Sequence, residues 1–147
     1  MKRFISHRGN IFGRIESEEN KPSYIESALS DGYDVEIDLW LIGDNLFLGH
    51  DFPDYQIDLK WIEERSKRLW VHCKNPEAVV FLCGLENGIN YFWHQEDKLT
   101  LTSRGHIWVY PGNQPIKNSI AVMPEIHDEN VDACLGICSD YIGNYRG

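Results

Sequence analysis

The sequence holds no apolar run near the roughly 20 residues that a membrane-spanning helix requires. Its opening, "MKRFISHRGN", has a basic pair but no hydrophobic stretch behind it to act as a signal peptide. The expectation is a chain without stable membrane insertion that works in the cytoplasm. Positive charge is scarce: 14 Lys and Arg face 23 Asp and Glu, leaving a formal net charge of -9. That balance argues against a nucleic-acid partner held by a broad basic surface. It leaves room for a small anion, because a local cluster or a bound metal can outweigh the net charge. No C-x-x-C occurs, and the C-x3-C at 134–138 matches no common zinc site. Cys83, Cys134 and Cys138 lie among apolar residues and read as buried thiols. Internal repeats, low-complexity segments and linkers are absent too, so residues 1–147 are expected to form a single domain. The composition does not fix an oligomeric state.

What is present is an alternation of short apolar runs and helical patterns. Runs suited to strands occur at 3–7, 33–40, 45–49, 69–73, 90–94, 106–110, 119–123 and 134–138. Helical patterns fill 21–31, 57–67 and 75–86, with Pro22 and Asn75-Pro76 as start signals and Gly32 and Gly88 as stops. Strands alternating with helices indicate βαβ units around a parallel sheet. After residue 94 the connections shorten, and "PGNQPIKN" reads as a loop. A full eight-stranded α/β barrel usually needs about 200 residues or more. The expected fold is therefore a trimmed or distorted (β/α) barrel of the TIM type, with regular βα units in its first half and few helices in its second.

Within "DVEIDLW" the period of two places Val35, Ile37 and Leu39 on one face and Glu36 and Asp38 on the other. Two carboxylates sharing a face repel one another and lose hydration unless water, a cation or a base compensates them. Either that face meets solvent or something positive lies against it. Other strand ends are polar as well: His7-Arg8-Gly9, His50-Asp51, and His72 with Lys74 two residues on. Later ends offer His94, Trp108, Tyr110, Glu125 and Asp140. In parallel α/β folds, chemistry gathers at such ends.

The ordered blocks "ISHRGN", "EEN", "GYDVEIDLWLIGDNLFLGHD", "WVHCK" and "LGICSDY" resemble the glycerophosphodiester phosphodiesterase family, mostly within the first 75 residues. The resemblance implies a barrel fold and hydrolysis of a small-molecule phosphodiester. It assigns His7 and His50 as the acid–base pair, and Arg8 and Lys74 as phosphate-binding, charge-balancing groups. Glu36 and Asp38 would hold a divalent ion, Mg2+ or Ca2+, with Glu19 at the same site. The chemistry agrees with these assignments. A phosphodiester needs cations at its non-bridging oxygens and proton exchange at the attacking and leaving oxygens. Histidine suits the exchange at neutral pH, and hard carboxylates suit Mg2+ or Ca2+. One departure stands out: the family's third acid, two residues before the lysine, is His72. Imidazole favours Zn2+ or Mn2+ over Ca2+, and Glu19 or Glu125 could compensate. Two rival readings follow, a non-catalytic phosphate-binding module on the same scaffold and a different metal-dependent hydrolase working through His72 and His94. Trp70, Trp93 and Trp108 read as core, with Trp108 the one that could serve a substrate. His106 and His127 read as structural or surface groups.

Overall fold

A computed structural model describes residues 2–146. It begins with strand β1 (Arg3–His7), helix α1 (Pro22–Ser30), and strands β2 (Asp34–Ile42), β3 (Asn45–Leu48) and β4 (Tyr55–Ile57). Helix α2 (Leu59–Arg65), β5 (Leu69–Cys73), helix α3 (Pro76–Cys83) and β6 (Tyr91–Phe92) follow. Then come β7 (Leu99–Leu101), β8 (Ile107–Val109), β9 (Ser119–Val122), a 3-10 turn at Pro124–Ile126, β10 (Gly136–Ser139) and helix α4 (Ile142–Tyr145). Local chemistry explains the helix starts. Asp58 and Asn75 accept from the backbone N–H of Trp61 and Ala78, satisfying donors that have no partner in the first turn. Proline occupies the first turn of both α1 and α3.

The strands join one ten-stranded sheet. Its parallel part runs β6-β5-β2-β1-β10-β9-β8, and antiparallel additions pair β3 with β2, β4 with β3 and β7 with β8. Strand β2 reaches three neighbours. Its first residues pair with β1, its middle with β5 and its end with β3. The sheet curls until Trp108 on β8 lies 4.7 Å from Phe92 on β6 and 5.7 Å from Trp70 on β5, ring centre to ring centre. Strands β6 and β8 nevertheless share no ladder among the described residues.

The expected TIM-type barrel is therefore corrected to a curled, open half-barrel of mixed strands with four short helices. The reasons are physical. Tyr91–Phe92 is too short to seal an edge, and the next strand, β7, turns back as an antiparallel hairpin on β8. The β3-β4 excursion likewise replaces a βα unit with antiparallel pairing. Residues 55–57, at the edge of the pattern read as a helix over 57–67, form β4, and the helix itself covers only Leu59–Arg65. Helix α3 stops at Gly84, short of 86.

Two cores result. The outer face of the first half packs Val35, Ile37, Leu39, Leu69 and Val71 against Ile25, Ala28 and Leu29 of α1, Ile62 of α2, and Ala78 and Leu82 of α3. Inside the curl, Ile5, Trp70, Phe92, Trp108, Ile120, Val122 and Cys138 form a second cluster. Trp108 belongs to this core and is buried, whereas Trp93 alternates outward and is exposed. Cys83 also departs from expectation: it ends α3 on the open side and is exposed, while Cys73, Cys134 and Cys138 are buried. Among the described residues no helix is long and apolar enough to cross a membrane.

Candidate metal centre

The inner face answers the question posed by Glu36 and Asp38. Register pairs His7 with Glu36, Glu36 with Trp70 and Asp38 with His72, so the alternate residues of β1, β2 and β5 point into one space. Asp38 is 0% exposed and Glu36 2%. This is not a wet face, so compensation must come from neighbouring groups.

The loop after β1 supplies part of it. Arg8 and Gly9 both adopt positive φ, 62° and 98°, and turn the chain sharply enough for Asn10 N–H to donate back to His7 O. Glycine is required at the second position, because a Cβ there would lie 2.4 Å from Tyr24 Cδ2. The turn brings Arg8 back over the sheet, with Nε 3.1 Å from Asp38 Oδ2 and Nη1 3.6 Å from Glu19 Oε1. Further along the loop, Asn20 donates to Asp38 Oδ2 at 2.9 Å and accepts from Asp38 N–H at 3.0 Å, fixing the carboxylate's angle. Gly49 performs the same service for His50, since a Cβ there would stand 1.8 Å from Phe52 O.

Three groups stand against the acid pair. His7 Nδ1 bonds Asp140 Oδ1 at 2.7 Å, which aims Nε2 at Glu36 Oε1, 3.8 Å away. His72 Nε2 donates to the carbonyl of His94 at 2.9 Å. That leaves its Nδ1 3.2 Å from Asp38 Oδ1 and 3.6 Å from Glu36 Oε2. His50, half-buried, has Nδ1 3.7 Å from Asp38 Oδ2 and Nε2 3.4 Å from Arg8 Nη2. Lys74 follows β5 and is half-buried, and its ammonium forms no ion pair among the described residues. The Arg8 guanidinium, by contrast, is engaged by carboxylates.

Charge bookkeeping gives this geometry its chemical meaning. Glu19, Glu36, Asp38 and Asp140 are all buried, and among the described residues the permanent cations that pair with them are partly buried Arg8 and, at the rim, Arg14 on Glu19. Protons make up part of the deficit. Burial opposes charging His72, but the Asp38 and Glu36 carboxylates outweigh it and push its pKa up to about 9. His7 is also raised: burial again opposes, and the Asp140 hydrogen bond and Glu36 prevail. Burial would raise Asp38, but His50, His72 and Arg8 hold it well below the usual carboxylate range.

A divalent ion fits the same donors. Glu36, Asp38 and His72 offer ligand atoms that lie within 4.8 Å of one another. Asp38 Oδ1 and Glu36 Oε1 are buried without a hydrogen-bond partner, although such atoms are normally satisfied. Glu19 groups instead with His7 and Asp140. Its oxygens are engaged by Asn10, Arg14 and Arg8. Glu125 lies elsewhere, accepting from Ser139 Oγ and Tyr145 OH. His94 donates to Asp97 O at 2.6 Å.

Sequence reasoning missed Asn10 and Asn20 as site residues and left Asp140 without a role. Asn10 is 0% exposed and bridges Glu19 and Asp140 through its amide. The available signal was adjacency, since Asn10 lies two residues beyond Arg8 and Asn20 directly follows Glu19. No family model, curated protein or solved structure matches the chain.

Proposed function

We propose that the protein is a metal-dependent phosphodiester hydrolase acting on a small, glycerophosphodiester-like substrate. The observation that carries this reading is the convergence of Glu36, Asp38 and His72 beside the His7–Asp140 pair on one inner face. A divalent ion held by the three ligands would draw charge from a non-bridging phosphoryl oxygen. The chain's own residues supply the rest. Asp140 occupies Nδ1 of His7 and stabilises the imidazolium, so Nε2 carries the proton to the leaving oxygen as general acid. His50 is the more exposed histidine of the pair; its buried Nδ1 faces Asp38 Oδ2 at 3.7 Å, which leaves Nε2 as the nitrogen to accept a proton from the attacking oxygen. Lys74 is available to bind phosphate as a point charge, and Arg8 sets the positions of Asp38 and Glu19. The free cysteines suit a reducing compartment such as the cytoplasm.

The test is turnover of generic phosphodiesters by protein supplied with Mg2+, Ca2+, Mn2+ or Zn2+, repeated after chelation. Metal-dependent turnover that His7→Ala abolishes is expected. Absence of turnover with every ion would favour the binding-module reading instead.

A further inference from the structure

We propose that this centre selects a first-row transition ion, Zn2+ or Co2+ ahead of Mn2+, over Mg2+ and Ca2+, because His72 presents a fixed imidazole nitrogen beside two buried carboxylates. The inference rests on the reading that Glu36, Asp38 and His72 share one ion, and it adds which ion and why.

The orientation of His72 is set from three directions. Parallel register places it opposite Asp38 on the neighbouring strand. Its ring stacks on Phe92, with centroids 5.1 Å apart and planes inclined by 11°. Its Nε2–H is used by the His94 carbonyl at 2.9 Å. When a metal displaces the Nδ1 proton, the neutral imidazole keeps its one N–H in this bond and turns the Nδ1 lone pair on the space it shares with the carboxylates. A carbonyl behind the distal N–H is the usual outer support of a metal-bound histidine.

Asp38 is arranged to match. Asn20 and Arg8 both engage Oδ2, leaving Oδ1 as the oxygen that faces His72. Oδ1, on a fully buried residue, is ion-paired with Nδ1 at 3.2 Å but has no partner in good hydrogen-bonding geometry. Two ligands about 2.1 Å from a shared ion sit roughly 3.0–3.4 Å apart, which brackets this separation. Glu36 Oε2 lies 3.6 Å from Nδ1, and the three residues' ligand atoms all lie within 4.8 Å of one another. Mg2+ and Ca2+ take oxygen ligands and gain little from imidazole, whereas Mn2+, Co2+ and Zn2+ accept mixed nitrogen and oxygen sets, with affinity rising toward Zn2+ across that series.

The experiment uses the full chain, stripped by chelation, with each metal chloride alone and no substrate. Thermal melts should show half-saturation by Mn2+, Co2+ or Zn2+ at concentrations at least about ten-fold below those needed for Mg2+ or Ca2+. His72→Glu should shrink or reverse that ratio. A readout on the wild type covers the case of a variant that does not fold. In nitrogen-15 spectra, added Zn2+ should move the Nδ1 resonance of His72 while Nε2 stays protonated. Mg2+ binding as tightly as Mn2+ in the wild type, an unchanged ratio in folded His72→Glu, or an unmoved Nδ1 would each overturn the proposal. Turnover is not read, so a selective but inactive protein would support this inference while removing the hydrolase reading.

Discussion

The two arcs of the curled sheet differ in what they turn inward. On β1, β2 and β5 the inner positions near the strand ends are His7, Glu36, Asp38 and His72, and the outer face is covered by α1, α2 and α3. On β8, β9 and β10 the inner positions are Trp108, Ile120, Val122 and Cys138, and α4 with a single 3-10 turn is all the helix that follows. The polar arc is buried at a cost and must be compensated by cations or protons. The apolar arc supplies dry volume that keeps the local dielectric low, and low dielectric strengthens each charge interaction next to it. The first arc, together with Asp140 at the end of β10, should therefore govern chemistry, and the apolar positions of the second should govern stability. Each of the following measurements bears on that division.

The largest expected effect is on rate. Replacing His7 by Ala should lower phosphodiester turnover by roughly 100- to 10,000-fold. His50→Ala should act on the same step, so the double variant should be scarcely worse than the weaker single one. Wild-type-like turnover in either single variant would take that histidine out of the mechanism.

On the opposite arc, Ile120 is 0% exposed inside the curl. Ile120→Ala should cost about 2–5 kcal/mol of unfolding free energy by denaturant titration. The metal concentration at half-saturation should hardly change. A loss of metal binding larger than the loss of stability would break the division between the arcs.

A smaller effect concerns pH. His72 is raised to about 9 in the metal-free protein, so the folded state holds a proton that the unfolded chain releases near 6.5. The resulting stabilisation, at most about 3 kcal/mol, should be complete below pH 6.5 and disappear as pH rises through about 9. His7, raised for the same kind of reason, adds in the same direction. Bound metal should flatten the profile by displacing the His72 proton, and His72→Gln should do so without metal. Stability that rises from pH 6.5 to 9 in stripped wild type would contradict this account.

Much of the polar arc was legible in the sequence because a strand's period of two needs no tertiary information. Glu36 with Asp38 and His72 with Lys74 could be placed on common faces from spacing alone, and β5 spans the expected 69–73. Global closure was not legible. Whether β6 meets β8 depends on a two-residue strand and a hairpin, and neither leaves a periodic signal. The supporting asparagines were also hidden. Asn10 and Asn20 sit in an irregular loop, where only the left-handed turn at Arg8-Gly9 and the positive φ of Asn20 bring their amides onto Asp140 and Asp38. The commitment of Arg8 to carboxylates follows from that turn as well.

The most direct test of the shared-ion claim is a crystal structure grown from stripped protein with Mn2+ added, read by anomalous scattering. One peak within coordination distance of Glu36, Asp38 and His72 Nδ1, with His72 Nε2 still bonded to the His94 carbonyl, is the predicted result. A peak bound only elsewhere, with Asp38 still paired to Arg8 and His72 and no ion between them, would contradict it.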